Sequence, residues 1–206
     1  SGAVCCSLIG GRGDGVAEYP MIVAMIAAVA AGVICGMWNG FLVAKIKIQP
    51  MVVTLILMVA GRGIAQLLTE GQIITVYYAP FSYIGGNIPG NIIPSPIIIA
   101  ILMIALVVFI LKKTSLGLFI QSVGINPTAS RYAGINVALI IFLVYAFSGF
   151  CAGVSGLIES SLIRAADANN AGLNMEMDAI LAVALGGTLL SGGKFYIGGS
   201  IIGAIT

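Results

Sequence analysis

Long runs of apolar residues, separated by short polar stretches, organise this chain. A run of about 20 mostly apolar residues can cross a bilayer as a helix. Four runs meet or approach that length: 20–44, 50–69, 95–111 and 136–158. A shorter run covers 179–190, another starts near 196, and residues 1–9 read as the tail of a further one. The strongest strand pattern, Gln72 to Tyr78, is too isolated to build a barrel. The pattern therefore predicts an all-α integral membrane protein, a polytopic transmembrane helix bundle. The sequence starts at Ser1 and stops at Thr206 inside apolar stretches. It is expected to be truncated at both ends, with 1–206 forming a single transmembrane domain of a longer protein.

Composition sharpens the exclusions. Of 206 residues, 60% are hydrophobic and 8% charged, against about 25% charged in ordinary soluble domains. That balance rules out a nucleic-acid binder, a disordered tail and a secreted disulfide scaffold. The chain has no histidine, which removes Ser-His chemistry and histidine-based metal sites. Cys5, Cys6, Cys35 and Cys151 form no CxxC pair, so they read as small buried hydrophobes rather than metal ligands.

Charge gives the orientation. Sorting the connections alternately puts Lys45, Lys47, Lys112, Lys113, Arg131 and Lys194 on one side. Arg12, Arg164 and all seven acids fall on the other: Asp14, Glu18, Glu70, Glu159, Asp167, Glu176 and Asp178. Basic residues accumulate in cytoplasmic loops. Loops 45–49, 112–135 and 191–195 are therefore expected in the cytoplasm and loop 70–94 outside. Packing within the bundle has its own signal. Ala24, Ala28, Gly32, Gly36 and Gly40 recur every fourth residue, and Gly149 with Gly153 repeats that spacing. Such small-residue ridges let helix backbones approach closely in lipid.

Several motifs fail on inspection. Gly11 to Asp14 matches the GxGD string of intramembrane aspartyl proteases, but no second aspartate lies within a span to share a proton with it. The segment Gly187 to Lys194 misses the phosphate-loop pattern, with Thr188 where glycine is required and Phe195 after the lysine. Arg62 is the one charge well inside a span, about 18 Å along a helix that starts at residue 50. Gly61 and Gly63 leave room beside it. It reads either as snorkelling toward the outer interface near Glu70 or as a polar group in a pathway. Tyr77, Tyr78, Phe81 and Tyr83 in the outer loop suggest an interfacial aromatic belt or a docking surface for an external partner.

The inner loop 112–135 is long for a bundle connection. It carries a short helix with its own start and stop signals: Asn126 as N-cap, Pro127 at the first helical position and Gly134 at C′. A capped, exposed helix with little apolar surface calls for a protein partner in the cytoplasm, or else it lies on the headgroups.

These residues carry a resemblance. The inner loop TSLGLFIQSVGINPTASRYAGI, 114–135, resembles the coupling segment of the sugar permeases of ribose-type ABC importers. IQPMVVTL at 48–55 resembles that family's inner-loop-to-helix entry, MDAILAVALGG at 177–187 followed by SGG at 191–193 its late glycine signature, and the opening SGAV the end of an early motif. Within that family MVAGRGIAQ at 58–66, GQIIT at 71–75 and DANNAGL at 167–173 are similar to the galactofuranose importer permeases. The resemblance implies a type II ABC importer permease-like fold and a permease subunit that moves a monosaccharide, galactofuranose first, from periplasm to cytoplasm across a bacterial inner membrane. It implies no cofactor on this chain, with ATP and Mg on a partner ATPase. The partners it implies are that cytoplasmic ATPase, a second permease (the same chain or a different one), a periplasmic sugar-binding protein and the lipid bilayer, with no nucleic acid. Gly124, Asn126, Pro127, Ala129, Arg131 and Gly134 become the ATPase-coupling residues. Polarity and depth nominate Asn39, Arg62, Gln66, Asn169 and Asn170 for the solute pathway. Ribose, xylose or galactose are alternative sugars. A secondary transporter or channel is the alternative class, although it would more often carry acids inside its spans.

Overall fold

The computed structural model describes residues 1–10, 20–75, 81, 85–86, 94–167, 172–188, 192 and 196–205. The Gly11 to Asp14 string, Tyr77, Tyr78, Tyr83, Asn169, Asn170 and Lys194 lie outside the described residues. The elements in chain order are α1 (Gly2–Gly10), α2 (Met21–Phe41, continuing as a π-helical turn over Leu42–Ile46), α3 (Pro50–Leu68), β1 (Ile74–Thr75), α4 (Ser95–Lys113), α5 (Ser115–Ile125), α6 (Pro127–Tyr132), α7 (Val137–Ile163), β2 (Ala165–Ala166), α8 (Met175–Leu185) and α9 (Ile197–Ile205). Among the described residues, four helices are long and apolar enough to cross a membrane: Met21–Ile46, Pro50–Leu68, Ser95–Lys113 and Val137–Ile163. They match the four long apolar runs. The chain divides into two compact units, Ser1–Met103 with Phe142–Ala171, and Ile104–Ile141 with Gly172–Thr206.

In the first unit the small-residue ridge of α2 does what its spacing predicts. A Cβ on Gly32 would stand 2.9 Å from Gly153 Cα, and one on Gly36 would stand 2.9 Å from Gly149 Cα. The glycine pairs of α2 and α7 thus bring two backbones into direct contact, with dispersion and carbonyl dipoles replacing side-chain packing. Higher on the same ridge, Ala24 and Ala28 are buried with Cys5, Cys6 and Ile9 of α1, Leu157 of α7 and Ala166 of β2. Phe81 completes this core at 1% exposure. The expectation of an interfacial or docking aromatic is therefore wrong for Phe81, which is buried in this core. Ser161 of α7 ties Phe81 and Gly85 to this helix by donating to the Phe81 carbonyl at 2.5 Å and accepting from Gly85 N–H at 2.8 Å.

The strand pattern around Gln72 becomes a two-residue strand. Ile74 pairs with Ala166 and Thr75 with Ala165, antiparallel. Glu70 and Gly71 turn the chain out of α3 with positive φ, and Arg164 does the same at the end of α7. Both paired segments were assigned to the outer side by charge, and their hydrogen bonding agrees with that sorting. The expected span 136–158 stops short: α7 continues to Ile163 and takes Glu159 into its outer end. The sequence pattern sets this acid in a connection, because a charge ends an apolar window even where the helix goes on.

In the second unit Val123 of α5 packs with Val137 and Ile140 of α7, joined by Phe119, Ile120 and Ile135. The inner loop holds two helices rather than one. α5 follows α4 after the single residue Thr114, and Gly117 lets it fold back against the backbone of Leu111. A Cβ on Gly192 would stand 3.1 Å from the Gly124 carbonyl oxygen, so two loops assigned to the cytoplasmic side are neighbours. The run expected over 179–190 instead starts at Met175, where Glu176 and Asp178 occupy the first turn and favour the positive end of the helix dipole. It closes through Gly186 against the backbone of Gly199 and Ser200 on α9.

Candidate functional site

Two polar features stand apart from the apolar packing: a pair of chambers in the first unit, and the exposed helix α6 in the second.

The smaller chamber, about 250 Å³, is lined by Met58, Arg62 and Ala65 of α3, Gly156, Glu159 and Ser160 of α7, the β2 strand and Asp167. Arg62 thus faces a cavity with two carboxylate residues on its wall, rather than being set merely beside Glu70. Gly61 and Gly63 meet nothing within 4 Å where a Cβ would stand, so the α3 backbone is open around the arginine as its flanking glycines suggested. Glu159 and Asp167 escaped the sequence reading as site residues. The DANNAGL string contained Asp167, and it follows β2 directly into the chamber wall that Arg62 also lines.

The larger chamber, about 640 Å³, lies between α1, α2, α3 and α7 and shares Ser1, Ala3, Met58 and Ala65 with the smaller one. Its polar lining comes from Ser1, Asn39 of α2, Thr54 of α3, and Tyr145 and Ser148 of α7, with Cys35 one turn from Asn39. Its described lining contains no Asp, Glu, Lys or Arg. The Thr54 hydroxyl donates to its own helix, to Pro50 O at 3.1 Å and Met51 O at 3.0 Å, which leaves its oxygen lone pairs toward other donors. Measured from Pro50, Thr54 sits about 6 Å and Arg62 about 18 Å along α3. The charged chamber therefore meets α3 at Met58, Arg62 and Ala65, while the neutral one runs along the helix from Thr54 to Leu68.

The nominated pathway residues separate. Asn39 lines the larger chamber and Arg62 the smaller. Gln66 is exposed on α3 and lines neither. Asn169 and Asn170 lie outside the described residues. Among the described residues, no group of three or more Cys, Asp or Glu is placed to hold a metal.

On α6 the predicted caps are in place. Asn126 Oδ1 accepts from Thr128 N–H and Ala129 N–H, each at 3.0 Å. Pro127 occupies the first turn. At the other end Gly134 has φ +84°. Its N–H donates to Arg131 O at 3.1 Å, and Ile135 N–H donates to Ser130 O at 3.0 Å. This is a Schellman closure, which satisfies the last carbonyls of a helix. Ser130 is buried beneath the helix, while Gly124, Asn126, Pro127, Ala129, Arg131 and Gly134 are exposed. Tyr132, beside Arg131, is 89% exposed. Nothing in the sequence pattern marks this tyrosine as part of the exposed face.

The family described as the permease component of the branched-chain amino acid transport system matches residues 3–206. The galactofuranose transporter permease of Escherichia coli is 48% identical over 192 residues, 92% of this chain and 55% of that protein. The fructose import permease of Bifidobacterium longum is 42% identical over 189 residues, 88% of this chain and 52% of that protein. The ribose import permease of Haemophilus influenzae is 37% identical over 210 residues, 100% of this chain and 62% of that protein. The chain thus spans between half and two thirds of the length of these relatives. No solved structure matches it.

Proposed function

The chain belongs to the family of permease components of the branched-chain amino acid transport system, and on that premise we propose that it is the transmembrane subunit of an ATP-driven importer whose cargo is a monosaccharide, galactofuranose first. The neutral larger chamber carries this reading. A branched-chain amino acid brings an ammonium and a carboxylate, and each is costly to desolvate without a partner charge. No side chain in the described lining of the chamber carries one. A sugar brings hydroxyls, which donate and accept, and Asn39, Thr54, Tyr145 and Ser148 are neutral partners of that kind. The named sugars of the relatives point the same way.

In this reading 1–206 is one transmembrane permease domain, and the chain catalyses no reaction. A periplasmic binding protein delivers the sugar at the outer face, beside loop 70–94. The bundle, paired with a second permease, alternates between outward-open and inward-open states. ATP and Mg are held by a separate cytoplasmic ATPase. Such a partner drives transport only by stabilising the two states differently. The exposed helix α6, locked at both ends, is the element suited to receive that bias, with Arg131 and its exposed neighbours as the contact.

The test is recovery of the full-length permease from native membranes, with and without Arg131→Glu. A P-loop ATPase that co-purifies with the parent protein and is lost from the variant supports the assignment. A permease that takes up solute with no ATPase bound would sink it. A second reading, a proton- or sodium-coupled transporter, gains from Glu159 and Asp167 at a chamber wall. It requires uptake to collapse with the ion gradient while ATP is held constant.

A further inference from the structure

Asn39 is 6% exposed and forms part of the wall of the larger chamber. Its Oδ1 has no hydrogen-bond partner among the described residues. A buried amide oxygen left without a donor is costly, and native proteins seldom retain one without a reason. The neighbouring buried positions of α2, Gly36 and Gly40, have no side chain that could donate to it. Three residues later the same helix changes to a π turn, Leu42–Ile46, a local rewinding that often accompanies functional sites. Thr54, facing the same chamber, has its hydroxyl hydrogen committed to its own helix and so also offers an acceptor.

We propose that Asn39 is the residue through which the transported solute biases the permease between its states. Its amide oxygen accepts a hydroxyl hydrogen of an uncharged polyhydroxyl solute, in the conformation where the chamber reaches the oxygen that is covered here. This rests on the sugar-importer reading and adds to it the site of discrimination. A solute that completes the bond binds the opened conformation more tightly than the closed one, and such a difference is what shifts an equilibrium. A solute without a suitably placed hydroxyl leaves the oxygen unpaired and is rejected.

Cys35 supplies the readout. It lies one helical turn from Asn39, lines the same chamber and is exposed. The full transporter in membrane vesicles is treated with N-ethylmaleimide, and alkylation of Cys35 is followed by peptide mass spectrometry. D-galactose, D-ribose and D-fructose are titrated, with L-leucine as control. At least one sugar slows alkylation of Cys35 and leucine does not. In Asn39→Leu, alkylation without sugar keeps its rate, while half-protection needs about tenfold more sugar, the loss expected for one hydrogen bond. In Asn39→Ser, which keeps a hydroxyl acceptor, the increase is smaller. If Asn39→Leu does not assemble, Asn39→Ser decides: protection weakened several-fold supports the proposal, and unchanged protection overturns it. Equal protection of Asn39→Leu and the parent also overturns it, as does a sugar that is taken up without protecting Cys35. ATP-dependent uptake by the same vesicles is scored separately. Its absence for every sugar strikes the importer reading itself.

Discussion

Helix α6 has six residues, Pro127–Tyr132, whereas isolated helices below about 12–15 residues are marginal in water. Its persistence therefore depends on its ends, and the start rests on one side chain. Asn126 Oδ1 satisfies two of the free N–H groups of the first turn, those of Thr128 and Ala129. Asn126→Ala removes both bonds at once. Loss of an N-cap costs about 1 kcal/mol and up to about 2. The Ser130 hydroxyl bond to Asn126 O and the two C-terminal closing bonds would remain, so the loss is local opening rather than unfolding of the bundle. At roughly 1.4 kcal/mol for each factor of ten, amide exchange across 128–132 should accelerate about five- to thirtyfold, because exchange follows the local opening equilibrium. Hydrogen exchange with mass spectrometry on the purified full-length permease reads this directly, and peptides from the centre of α7 serve as the unchanged control. Asn126→Asp should keep parent-like protection, since its carboxylate accepts the same bonds and suits the positive end of the helix dipole. Equal protection of 128–132 in Asn126→Ala and the parent would refute the reasoning that local caps hold this helix.

Other outcomes follow from the same geometry. Gly134→Val puts a β-branched residue at φ +84°, where left-handed backbone costs roughly 1–2 kcal/mol; solute uptake should fall while the membrane abundance of the protein does not. Gly36→Val drives a side chain into the α7 backbone at Gly149, and overpacking of that kind costs about 1–3 kcal/mol. Its thermal midpoint in detergent should drop, whereas Gly61→Ala, which meets nothing within 4 Å, should leave it within error. Ser161→Ala deletes the bonds to Phe81 O and Gly85 N and leaves buried backbone groups unpaired, at about 1–3 kcal/mol; limited proteolysis between 76 and 94 should quicken.

The four spans were legible because a bilayer demands long apolar runs with their backbone bonds internal. The caps of α6 were legible because Asn126, Pro127 and Gly134 act within a few residues of themselves. The α2–α7 seam could be read only in halves: the ridges Gly32–Gly36 and Gly149–Gly153 were visible, but that they face each other is a tertiary fact. Helix α5 was hidden because Lys112 to Ser115 reads as the start of a loop, while the polar residues are in fact the last turn of α4, Thr114 and the first residue of α5. Glu159 was set in a loop because the apolar window ended before the helix did. The chambers were the least legible. Their walls are mostly glycine, alanine and isolated polar residues brought together from α1, α2, α3 and α7, and a void has no sequence pattern. Arg62 stood out as the one charge inside a span, but Glu159 and Asp167, which line the same chamber, lie about a hundred residues downstream.

The central claim is that the neutral chamber serves an uncharged sugar moved at the cost of ATP. Its most direct test is uptake of radiolabelled solutes by proteoliposomes holding the full-length permease with its ATPase, fed by the binding protein and compared with and without internal ATP. The account predicts ATP-dependent accumulation of a monosaccharide, with galactofuranose the first to be tried, and none of leucine. Accumulation of leucine without any sugar would contradict it.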